Sequence, residues 1–156
     1  MRFVNPTRGP MDFDTMFEDI VTYIKDVPDA SYKLIIGTDS QLADETCFVT
    51  AVVVHRRGKG GRYYYTRDRE KLSRSLRQRI FYETARSLEL ASQLAARLAE
   101  NGYADLDVEI HCDVGVNGPT KDLIREVVGM VVGSGFDARI KPDSYGASKV
   151  ADKYTK

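Results

Sequence analysis

At 156 residues the chain has the length of one domain, enough to bury roughly 68–70% of its unfolded surface around a single unstapled core. Lys plus Arg and Asp plus Glu number 23 each, so formal charge is zero; this excludes a protein that coats polyanions through a global basic excess, and any polyanion site must be local. Cys47 and Cys112 are too few for a secreted disulfide framework, the apolar runs fall far short of the ~20 residues that span a bilayer, and MRFVNPTRGP lacks an apolar signal core, so a soluble, unexported, cytoplasmic protein with no membrane partner is expected.

After a Pro-bracketed leader, Met16, Phe17, Ile20, Val21 and Ile24 recur at helical spacing until Pro28, an amphipathic helix appended to the main body of the chain. Tyr32 to Thr38 is a short apolar run ending in Asp39-Ser40, and Cys47 to His55 is rich in β-branched residues; both read as strands. RRGKGGR supplies turn chemistry before RYYYT, so the second and third strands form an antiparallel hairpin with a basic tip. Leu72, Leu76, Ile80, Leu88, Ala91, Leu94 and Leu98 then keep a helical period until Asn101-Gly102. VEIHCD alternates as a strand, NGP at 117 to 119 puts Pro119 near a helix start, FDARIKP reads as a last strand, and SYGASKVADKYTK as a short terminal helix. Hairpin strands followed by strand–helix alternation point to a mixed sheet flanked by helices, with residues 1–30 as leader and helix and 31–156 as the main domain.

Asp39 stands where an apolar strand runs out, and Asp113 repeats the pattern at the end of VEIHCD, where an open α/β sheet exposes its ligand-facing groups. Either one alone would equally suit an Asx turn. On a helix wheel centred on Ile80, Glu83 falls near −60°, between Leu76 at about −40° and Leu90 at about −80°, on the packed side; Glu89 and Glu100 project to solvent. A buried carboxylate needs a partner, either an arginine or a metal. Asp152 lies on the terminal helix, and Asp143 in KPDS is a substitute carboxylate nearby.

Convergence of Asp39, Glu83, Asp113 and Asp152 would set like charges against one another at about 4 kcal/mol per close pair. Oxygen-only ligands select hard ions, and two divalent cations, Mg²⁺ or Mn²⁺, would balance four carboxylates while clamping a phosphodiester. Between Arg56 and Arg79 ten basic residues face two acids, a local excess of +8. Arg56, Arg57, Lys59 and Arg62 beside Tyr63, Tyr64 and Tyr65 combine phosphate-holding cations with base-stacking rings; the alternative is that the tyrosines pack and the charges keep a strand edge soluble. His111 shares a strand face with Asp113 and is read as a hydrogen-bonded strand histidine. Walker A, GxGxxG, zinc-spaced Cys/His and GxSxG patterns are missing from the sequence.

The order of a strand ending in TDS, a hairpin, a helix with an inward Glu, a strand ending in CD and VADKYT resembles the ribonuclease H-like superfamily. IIGTDSQ, VVVHRRGKGGRYYY, HCDVGVNGPTKDLIREVVGMV and IKPDSYGASKVADKYT resemble more closely the bacterial YkuK family of ribonuclease H-like proteins. The resemblance implies a five-stranded mixed sheet flanked by helices, here with an extra N-terminal helix. It also implies two metal ions on Asp39, Glu83, Asp113 and Asp152 and a nuclease activity without identifying the substrate; the expectation is a metal-dependent nuclease hydrolysing phosphodiester bonds of RNA, DNA or a hybrid. The rival expectations are a non-catalytic nucleic-acid-binding module of the same fold and, disfavoured by the lack of a glycine-rich loop beside Asp39, a nucleotide-binding ATPase relative.

Overall fold

The computed structural model describes residues 1–71, 75–144, 150 and 154. In chain order the elements are β1 (Phe3–Asn5), β2 (Gly9–Met11), α1 (Phe13–Asp26), β3 (Tyr32–Gln41), β4 (Thr46–Arg56) and β5 (Gly61–Glu70). After them come α2 (Leu76–Glu100), β6 (Asp107–Gly115), a 3-10 turn at Lys121–Leu123, α3 (Ile124–Gly133) and β7 (Asp137–Lys141). They build one mixed sheet in the order β2-β1-β5-β4-β3-β6-β7, antiparallel from β2 through β3 and parallel from β3 to β7.

The expected five strands, β5-β4-β3-β6-β7, are therefore consecutive members of a seven-stranded sheet extended at the β5 side. The two additional strands come from the leader, which folds into a hairpin and adds β1 to the edge of β5 with Val4 opposite Tyr65. Three-residue strands carry too few positions to display a period of two, and Pro6 and Pro10 read as breakers. Pro10 is tolerated because β2 is outermost, where a missing donor costs no ladder hydrogen bond. Asn5 closes the hairpin: its Oδ1 accepts from the Thr7 and Arg8 amides at 2.9 Å each, and its Nδ2 donates to Tyr63 O at 3.0 Å.

Alternation along β3 sends Leu34, Ile36 and Thr38 to one face and Ile35 to the other. The first face carries the main core, with Met16, Phe17 and Ile20 of α1, Ile80, Leu90, Ala91, Leu94 and Leu98 of α2, and Val127 and Val131 of α3. Phe3 joins this core fully buried, its ring 6.2 Å from that of Phe13. Asp19 of α1 is fixed to β5 by the Tyr64 hydroxyl and by Arg62 at 3.2 Å. On the opposite face Ile35, Val49 and Ala51 meet Tyr65, Val150 and Tyr154; the latter two have helical backbone, as expected for the terminal segment, whose other residues from 145 onward lie outside the described residues.

Helix starts follow ordinary capping chemistry. Asp12 accepts from Thr15 N at 2.8 Å to open α1, and Ser75 accepts from Gln78 N at 3.3 Å to open α2. Pro119 does not open a helix, since helical structure begins two residues later at Lys121; Thr120 instead accepts from the Gly115 amide at 3.1 Å. No described helix is long and apolar enough to cross a membrane.

The leader hairpin is thus part of the core. Phe3→Ala is expected to cost roughly 3–5 kcal/mol, as large buried aromatics do, measured as a lowered urea midpoint. A loss below about 1 kcal/mol would show the hairpin to be dispensable.

Candidate metal centre

β3 and β6 pair in parallel only as far as Gly37 opposite His111. Beyond that rung β3 continues with β4 to Gln41, while β6 leaves with β7 across a register break between His111 and Gly115. Asp39 and Asp113 each stand two residues past the last shared rung, on the two sides of this parting. Such a parting of strands is where open α/β sheets bind ligands.

Glu83 comes to the same place from α2. The helix approaches β3 closely because Thr84, Ser87 and Ala91 make its buried stripe narrow, and hydroxyls join the two elements: Thr38 Oγ1 lies 2.7 Å from Ser87 Oγ and 3.0 Å from Thr50 Oγ1. One turn before Ser87, the Glu83 side chain is 5% exposed and accepts a 2.5 Å hydrogen bond from the Ser40 hydroxyl. The wheel reading of Glu83 as inward and Glu89 and Glu100 as outward matches their burial.

One carboxylate oxygen from each of Asp39, Glu83 and Asp113 lies within 4.8 Å of the others, and among the described residues this is the group of acidic, Cys or His side chains able to hold a metal ion. Burial, followed by the charges of Asp113 and Asp39, pushes the Glu83 carboxyl well above the usual carboxylate range, against the Ser40 hydrogen bond and the Arg79 charge. Glu83 Oε1 is buried without a hydrogen-bond partner. A donor set of hard oxygens, mutual repulsion and an unsatisfied buried acceptor fits a divalent cation such as Mg²⁺ or Mn²⁺.

A second buried glutamate, Glu109 of β6, shows the opposite condition. Glu109 meets Lys33 Nζ at 2.7 Å and Arg139 at 3.4 Å, and accepts from His111 Nε2 at 3.1 Å. Burial opposes its charge, but these partners together draw the carboxyl below its ordinary value. His111 is held below its ordinary value by burial, with Glu109 partly offsetting it, so the imidazole is neutral at pH 7. It is the hydrogen-bonded strand histidine expected from the sequence. Burial, with Glu83 nearby, pushes the Cys112 thiol up to about 12, which leaves it protonated and a poor ligand.

Lys141 was not singled out by the sequence, yet its Nζ lies 2.6 Å from Asp113 Oδ1, an interaction that raises the lysine's affinity for its proton. Asp152 lies outside the described residues. Asp143 is exposed in the turn after β7 and is not among the three clustered carboxylates.

The residues expected to hold nucleic acid fall elsewhere. Arg56 pairs in register with Tyr32, seven rungs or about 23 Å along the strand from the Asp39–Val49 rung. Its guanidinium is buried over the Tyr23 ring at 4.0 Å and donates to Tyr23 O at 2.9 Å and to Tyr32 Oη at 3.1 Å. Arg62 is taken up by Asp19 and the Tyr23 ring, whereas Arg57 and Lys59 are exposed at the hairpin tip. Tyr65 stacks on Tyr154 with ring centroids 3.8 Å apart, and the Tyr63 and Tyr154 hydroxyls lie 3.0 Å apart. Arg67, opposite Val49, and Arg69, opposite Cys47, are exposed at the Asp39 end of the sheet.

The electrostatics set the sign of a test. Because the folded state holds the Glu83 proton more tightly than the unfolded chain, Glu83 withdraws stability as pH rises above the ordinary carboxylate range, until it ionises in the folded state. Metal-free Glu83→Gln should therefore melt above the wild-type protein by about 2–4 °C, equivalent to roughly 1 kcal/mol. The gap should widen as pH rises above the ordinary carboxylate range and shrink with added Mg²⁺. Equal melting at every pH would show that the charge is already compensated.

The model of the family described as Ribonuclease H-like matches residues 15–156 of this chain. A protein of Bacillus subtilis (strain 168), named only as the uncharacterized protein YkuK, is 40% identical over an alignment covering 99% of this chain and 96% of that protein. No solved structure matches. The parted parallel strands, the flanking helices and a sequence likeness running nearly end to end agree, and the chain belongs to the YkuK family of ribonuclease H-like proteins.

Proposed function

We propose that the protein is a metal-dependent nuclease that hydrolyses phosphodiester bonds of RNA, DNA or an RNA/DNA hybrid. The observation that carries this reading is the approach of three carboxylates from three separate elements to within 4.8 Å of one another. Glu83 retains an unsatisfied buried oxygen there, and the ribonuclease H-like membership supports the same reading.

Asp39, Glu83 and Asp113, joined by Asp152, would hold two Mg²⁺ or Mn²⁺ ions. Such ions supply Lewis acidity toward a phosphodiester and offset the negative charge that grows on it. Asp39 is held on its rung opposite Val49, and Asp113 lies within β6 between the paired residues His111 and Gly115, so neither stands on a loop. The Ser40 hydroxyl donates a hydrogen bond to Glu83 Oε2 and thereby restrains the carboxylate's rotation. The neutral thiol of Cys112 and the packed Thr38–Ser87 pair close the helix side of the centre against water.

The polyanion would run across the sheet at the Asp39 end. Arg67 and Arg69 share by alternation the strand face of Tyr63 and Tyr65, and lie within two strands, or about 10 Å, of Asp39. Arg79 stands one turn before Glu83 on α2 and its charge acts on that carboxyl, whereas Arg77 is paired with Glu126 at 2.7 Å. Arg57 and Lys59, about 23 Å distant along the strands, would meet only the phosphates of a strand long enough to travel the length of the sheet.

Asp39→Asn should abolish cleavage of labelled oligonucleotides with Mg²⁺ or Mn²⁺ while changing oligonucleotide affinity less than about threefold. Retained cleavage would remove Asp39 from the reaction. Salt-sensitive binding by the wild type with no product under either metal would return the non-catalytic binding module. Arg57→Ala/Lys59→Ala should weaken binding of long oligonucleotides, lowering the slope of log affinity against log salt by up to about 2, and leave short ones unaffected. Equal effects at all lengths would place the strand along another path.

A further inference from the structure

Lys141 is the last residue of β7 and pairs in register with Gly115 of β6. Gly115 is not required for its backbone conformation, since it is not among the glycines with positive φ. It is required for space. A Cβ built there would lie 3.0 Å from Lys141 Cβ and 3.6 Å from Lys141 Cδ, so the lysine stem runs directly over the bare glycine. That course delivers the ammonium to Asp113 Oδ1 at 2.6 Å, at the rim of the three-carboxylate group.

The contact differs from the permanent neutralisation of Glu109. There a 6%-exposed carboxylate is shared among Lys33, Arg139 and His111. Here one lysine, its side chain 56% exposed, bonds to one of three mutually repelling acids. An exposed ammonium on a four-carbon stem is easily displaced by a divalent cation, which brings twice the charge to the same oxygen. Once displaced, it is still tethered beside the carboxylates, where a phosphate of the bound strand must also lie.

We propose that Lys141 is a resident counter-ion of the carboxylate group that gives up Asp113 when a divalent ion binds and then contacts a phosphate of the polyanionic substrate. This rests on the reading of Asp39, Glu83 and Asp113 as a metal centre. Lys141 is then a competitor for metal in the empty protein and a substrate-binding residue in the loaded one. Gly115 is the residue that admits its stem.

The test compares wild type, Lys141→Met, which keeps the stem and removes the charge, and Gly115→Ala, which keeps the charge and crowds the stem. Calorimetric titration with Mn²⁺ should show about five- to tenfold tighter binding by Lys141→Met and a smaller change in the same direction by Gly115→Ala. Without metal Lys141→Met should melt below wild type, and the difference should close at saturating Mn²⁺. With Mn²⁺ present, its binding to a phosphorothioate DNA oligonucleotide should weaken, with the salt slope reduced by about 1. Unchanged or weaker Mn²⁺ binding by Lys141→Met overturns the counter-ion role, and an unchanged oligonucleotide salt slope overturns the phosphate contact. Absence of Mn²⁺ uptake by the wild type instead overturns the metal centre itself, and is distinguishable because no variant comparison is then needed.

Discussion

Among the described residues two glutamates are buried, Glu83 on α2 and Glu109 on β6, and the difference between them organises the molecule. Glu109 is surrounded by Lys33, Arg139 and His111, so its charge is balanced by the protein and its role is to hold strands together. Glu83 instead faces Asp39 and Asp113 and has a serine hydroxyl as its hydrogen-bond donor. A domain of this size has marginal stability, and grouping carboxylates within 4.8 Å of one another draws on it. The surrounding packing tolerates this because Thr38, Thr50 and Ser87 tie α2 to the sheet on one side while the β3, β4 and β5 ladders hold the other.

The position of the acids is a matter of topology more than of local sequence. β3 is the strand at which antiparallel pairing gives way to parallel pairing, and β6 is drawn away from it by β7. The gap so produced lies at the carboxyl ends of both strands, and the first residues past the final rung that share its face are the two aspartates. The same ladder separates them from the basic hairpin tip. A turn that is near in sequence to β4 is at the far end of the sheet, because β4 runs antiparallel to β3.

Much of this is legible in the chain alone. Strand-end aspartates, the helical period of α2 and the resulting inward direction of Glu83 depend on local spacing, which a sequence displays directly. The leader hairpin was hidden because its strands are three residues long and interrupted by prolines, so that burial of Phe3 follows from tertiary pairing with β5 and not from any pattern of its own. Lys141 and Glu109 were hidden for a related reason. Each matters through a neighbour on an adjacent strand, and registers between distant strands are not written in either strand alone. Tyr63 and Tyr65 stand out as a group in the sequence, but their packing against Tyr154 depends on where the chain's last segment returns.

The hairpin of β1 and β2 has one more effect, on how the molecule meets its own copies. With a formal charge of zero, long-range repulsion does little to keep copies apart. Protection against strand-to-strand sticking must then reside at the two rims of the sheet. One rim ends in a three-residue strand whose Pro10 offers no donor; the other, β7, turns out Asp137, Arg139 and Lys141. Without the leader, the middle of the ten-residue β5, which β1 now covers opposite Tyr65, would join the rim and lengthen it as a template for intermolecular pairing.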